Sequence, residues 1–128
     1  VRAATNPEAY ERMQAALAAL LLVLRQDLPA RFETAKALSQ DDDELAEVLE
    51  VWLTFWRDVL LIQSDSEAAI VHTEHRATLE QIAAVIDVRQ SADVLTALEQ
   101  SQTALLANAN TQLLVENLLL GLPTVPAP

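Results

Sequence analysis

Asp42–Gln63 reads DDELAEVLEVWLTFWRDVLLIQ, and the fold class turns on that stretch. After three acids, Leu45, Val48, Leu49, Trp52, Leu53, Phe55, Trp56, Val59 and Leu60 recur at spacings of three and four. That is the period of a helix and not the alternation of a strand. The apolar residues cover more than one face, and a helix apolar over so wide an arc is buried by several neighbours. We therefore expect a central helix here. The run Asp41 to Glu44 is explained by capping and by the positive end of the helix dipole. Acid–base catalysis would need carboxylates in a cleft whose surroundings push their pKa values apart, so no catalytic pair is assigned to this run.

Working outward, Asn6-Pro7-Glu8 supplies a cap, a proline at the first helical position and an acid near the helix start. Met13, Leu17, Leu20, Leu21 and Leu24 follow as one apolar stripe. This first helix is predicted to end near Asp27, because Leu28 precedes Pro29. Pro29 opens a short second helix carrying Phe32, Ala35 and Leu38, and Ser39 to Asp43 connects it to the central one. Ser64 to Thr73 reads as the main loop. Thr73 is expected to cap a fourth helix with Leu79, Ile82, Ala83 and Ile86. Ser91 is expected to cap a fifth with Val94, Leu95, Leu98, Leu105 and Leu106 turned inward. Asn108-Ala109-Asn110 interrupts that helix, since asparagine favours caps over interiors. Asn110 then caps a last helix, closed by Gly121 and Pro123. The expectation is an all-α bundle of five to six helices over residues 1–123, with a loose Pro-rich tail over 124–128.

Composition agrees. Hydrophobic residues make up 52% of the 128, and Leu and Ala, both strong helix formers, dominate. The lone glycine, Gly121, leaves little for tight hairpin turns or for a phosphate-cradling loop, so nucleotide binding through a P-loop is excluded. With 19 acidic and 8 basic residues the net charge is −11, which repels a nucleic-acid backbone. The absence of cysteine removes disulfides, thiolate nucleophiles and cysteine zinc sites, and fits a cytoplasmic protein. The longest apolar run, Ala15 to Leu24, is about half a membrane span. No signal peptide opens the chain, and a start at Val1 suggests a domain cut from something longer.

Few residues are candidates for chemistry. His72 and His75 flank Glu74, but a metal needs a third ligand, for which Asp65 or Glu67 would have to serve. Two exposed polar residues beside a loop explain them as well, and no metal or cofactor is expected. Trp52 and Trp56, one turn apart, suit a subunit interface, where tryptophan is enriched. Ordinary core filling accounts for at least one of them. Arg57 and Asp58 lie amid leucines, so each is either at a solvent edge or paired across a helix contact.

Trp56-Arg57-Asp58-Val59-Leu60-Leu61 resembles the "W/L-R-D-L-L-L" stretch in the central helix of bacterial DNA polymerase III clamp-loader subunits. Leu106-Ala107-Asn108-Ala109-Asn110-Thr111-Gln112-Leu113-Leu114-Val115-Glu116-Asn117-Leu118-Leu119-Leu120 resembles their "L-x-x-N-x-N-x-x-L-x-x-E-x-L-L-L" ending. Arg31-Phe32-Glu33-Thr34-Ala35-Lys36-Ala37-Leu38 looks like the short helix leading into an acidic connection there. The resemblance spans Pro29 to Pro123, is to the C-terminal domain of the delta-prime subunit first and of gamma/tau second, and meets the first helix in character only. It implies an oligomerisation domain that joins like domains of the other loader subunits in a collar. ATPase modules would precede it in the full chain. It implies no catalytic residue, cofactor, nucleic acid, membrane or small-molecule substrate for this piece, and it makes Trp52, Trp56, Arg57 and Asp58 the interface candidates. The alternative is a ligand-sensing helical domain of a transcription regulator, with an apolar pocket lined by the central helix.

Overall fold

A computed structural model describes residues 6–66, 68–107 and 110–126. Among them are six α-helices and no strand: α1 Pro7–Val23, α2 Leu28–Leu38, α3 Asp42–Gln63, α4 Arg76–Val85, α5 Val88–Leu106 and α6 Thr111–Gly121. A single 3-10 turn, Thr73–His75, leads into α4. The all-α expectation holds.

Asparagine and aspartate caps set most of the helix starts. Asn6 accepts from Ala9 N at 3.2 Å, Asp27 from Ala30 N at 3.0 Å and Asn110 from Leu113 N at 3.1 Å. Asp41 accepts from the N–H groups of Asp43 and Glu44. Each such bond satisfies a donor that the helix itself leaves free. For α5 the cap is Asp87, not Ser91. Asp87 and Gln90 exchange bonds at 2.7 and 2.9 Å in a capping box, while Ser91 is buried one turn into the helix. Asp27 likewise moves a boundary. α1 stops at Val23, and α2 begins at Leu28 with Pro29 second. The bias against helix before proline disfavours Leu28 without forbidding it, and the Asp27 cap outweighs it.

α3 is central, packing against α1, α4 and α5, while α2 packs on α6. Trp52, Phe55, Trp56 and Val59 are completely buried. The Trp52 indole N–H donates to Ala16 O at 2.8 Å, and the Phe55 and Trp56 rings meet edge to face with centroids 6.4 Å apart. Both arrangements suit aromatic groups in a dry core. The Arg12–Glu47 and Ala16–Trp52 contacts advance together along the two chains, so α1 and α3 run side by side in the same direction.

Two apolar assignments change. Leu106, at the end of α5, is 86% exposed and Phe32 is 42% exposed, so neither belongs to the core. The segment after Pro123 is also tied down. Val125 is buried and donates its N–H to Leu24 O at 2.8 Å. Arg31 supplies the other tie, its guanidinium lying in the turn after α6. It donates to the carbonyls of Leu119 and Leu122, each at 2.7 Å, and to Pro123 O at 3.1 Å. A helix end leaves carbonyls without partners, and Arg31 satisfies them with a planar fork of donors.

Candidate subunit interface

The four candidates on α3 separate into two groups. Trp52 and Trp56 have no exposed surface, and Asp58 keeps 1%. A partner chain reaches none of them while this core stays closed. Arg57 is exposed. The pair that the sequence left undivided therefore takes both options: Arg57 is at the solvent edge, and Asp58 is paired across a contact.

That contact holds the main loop. Asp58 Oδ1 and Oδ2 accept the Val71 N–H at 2.9 and 3.0 Å, and Oδ2 accepts the His72 N–H at 2.8 Å. A buried carboxylate tolerates burial when backbone donors surround it. Its grip presents Val71, 61% exposed, to solvent while Ile70 turns inward. The loop leaves α3 through Asp65, whose φ of 51° is the left-handed geometry that aspartate tolerates better than most residues.

His72 is buried, contrary to the exposed placement the sequence suggested. Its ring lies 5.8 Å from that of Phe55, and Nε2 is 2.8 Å from Thr54 Oγ1. The single Thr54 hydroxyl proton is directed at Val51 O, so His72 Nε2 carries the proton between them. Burial lowers the His72 pKa, opposed by the Asp58 charge and reinforced by His75. His75 points elsewhere, with Nε2 3.0 Å from Gln14 Oε1, and Glu74 accepts the Tyr10 hydroxyl. The histidines are thus committed to different neighbours. Among the described residues no group of three or more His, Cys, Asp or Glu is placed to hold a metal. Glu67 lies outside the described residues.

Other surface features suit contact with protein. Leu28, Phe32, Leu106 and Leu113 are large apolar side chains between 42% and 86% exposed. Leu28 and Phe32 lie one turn apart on α2. Among the described residues no helix is long and apolar enough to cross a membrane. Asn110 has the capping role expected of it. Arg31 and His72 were not singled out from the sequence. The partners of Arg31 lie 88 to 92 positions along the chain, which leaves no local signal.

The family described as "DNA polymerase III, delta subunit, C terminal" matches residues 8–124. The chain belongs to this family. The match takes in all six helices of the delta-type domain, including α1, which the resemblance had met in character only. It places the chain among clamp-loader components of DNA polymerase III, and so in DNA replication alongside other loader subunits. Comparison with curated proteins and with solved structures returned no match.

Proposed function

We propose that this domain is the collar of a clamp-loader subunit of delta-prime type, joining its parent chain to the other subunits through their own helical domains. The family match over nearly the whole chain carries the proposal. The domain's contribution is positional. It raises the effective concentration of neighbouring ATPase modules for one another, so that a ring forms where separate modules would disperse. Its parent then serves sliding-clamp loading in the cytoplasm, at the cost of ATP hydrolysed elsewhere in the assembly. Arg57 is the α3 side chain left to meet a partner, with Val71 presented from the adjoining loop.

The ligand-sensing alternative needs the apolar arc of α3 to line a pocket. That arc is covered by α1, α4 and α5. The test is size-exclusion chromatography with light scattering, on the chain alone and mixed with the helical domains of the other loader subunits. A mixed complex at micromolar concentration is expected. A strict monomer, under conditions where those partners join one another, overturns the collar reading. Joining in the position of the delta subunit instead overturns only the delta-prime assignment.

A further inference from the structure

Between α1 and α3 lies an open groove of about 540 Å³. Its floor is apolar: Met13 and Ala16 from α1, Leu38 from the end of α2, Val48 and Val51 from α3. The α1 wall runs from Ala9 to Ala19, a length of about 15 Å at the helical rise, or nearly three turns. The small alanines along it leave room for another backbone to approach. The α3 rim carries Glu44, Glu47 and Glu50, all exposed. Arg12 is the one cation lining the groove, and its Nε is held by Glu47 at 2.9 Å. The rim is therefore left with more acid than base.

We propose that this groove docks a basic amphipathic helix of a partner protein. Leucine-type side chains would lie on the Met13–Val48–Val51 floor, and lysines or arginines would face Glu44, Glu47 and Glu50. An apolar strip between charged edges is the surface that a helix-in-groove partner reads, and the sign of the rim selects the partner. A second copy of this chain is a poor occupant, because its net charge of −11 brings acid to acid. The groove is separate from the four α3 candidates discussed above, so the proposal stands or falls independently of the collar reading.

The test uses the whole 128-residue chain and a synthetic helical peptide of about 18 residues, with Leu and Ala along one face and Lys along the other. Its mirror in charge, with Glu in place of Lys, is the control. Binding is followed by calorimetry and by amide chemical shifts. Glu44→Gln with Glu47→Gln is compared with Glu33→Gln plus Glu99→Gln, which removes the same charge outside the groove. The expected result is binding of the Lys peptide alone, weakened about tenfold by the groove pair and little changed by the distant pair. Shifts should concentrate at Met13, Ala16, Val48 and Val51. Equal weakening by both pairs would mean attraction to overall charge and overturns the proposal. So does shift change centred elsewhere, or no binding by the Lys peptide to a chain that is folded by circular dichroism.

Discussion

The Asp58 carboxylate holds the His72 backbone N–H at 2.8 Å, fastening the loop between α3 and α4 to the middle of the central helix. The same carboxylate takes the Val71 N–H. Replacing it leaves two amide donors near the core without partners. Asp58→Ala should cost about 2–4 kcal/mol, since each orphaned buried donor carries most of its desolvation penalty. Hydrogen exchange at Val71 and His72 should accelerate well beyond the change at Trp52. Unchanged exchange at those two amides would show that the loop is held by other contacts.

His72 makes the domain sensitive to mild acid. Burial keeps its folded pKa below the ordinary value, so the unfolded chain binds the proton first as pH falls. The domain is then at its full stability above about pH 6.5 and loses stability as pH drops from there towards the folded pKa. His72→Gln should flatten that part of the melting-temperature profile. A profile of equal slope in the variant would assign the sensitivity to other groups.

Arg31→Ala should destabilise the domain by about 3 kcal/mol or more, because it strips charged donors from several carbonyls at once. Arg31→Lys should recover only part of the loss, since an ammonium cannot present a planar fork to acceptors in different directions. Urea denaturation reads both. Full recovery by lysine would reduce the role of Arg31 to simple charge.

Asn110→Ala should cost about 1 kcal/mol through loss of the Leu113 cap, while Asn110→Asp should be nearly neutral. For a domain of this size that cost corresponds to about 4 °C in melting temperature. No shift with alanine would mean that packing alone sets the start of α6.

Arg57→Glu should leave the melting temperature of the isolated domain almost unchanged, as an exposed substitution usually does. Association with other loader domains should weaken about tenfold. If assembly is unaffected while the fold is intact, the Arg57 edge of α3 faces solvent in the loader.

The helices were legible because their apolar periods are long and their caps are local. Asn110 and the α3 stripe needed nothing beyond a dozen neighbouring residues. The errors have the opposite character. Ser91 and Asp87 are both capping residues, and only the reciprocal bond with Gln90 distinguishes them. Leu106 and Phe32 fit the period of their helices, yet which part of a stripe is covered depends on where the next helix lands. Trp52 and Trp56 read equally well as anchor and as core until Ala16 and Phe55 are seen against them. Asp58 and His72 are brought together by a loop whose course no periodic pattern describes.

Arg31 has a bearing on how the domain is made. Its carbonyl acceptors at Leu119, Leu122 and Pro123 belong to the final stretch of the chain, and so does Val125, which closes onto Leu24. A nascent chain emerging from the ribosome can wind α1 to α5 early, but through most of synthesis the α2 guanidinium waits in water without its acceptors. The bundle is secured only when its last dozen residues arrive, so premature termination near Gly121 would release a protein with every long helix and no fastening.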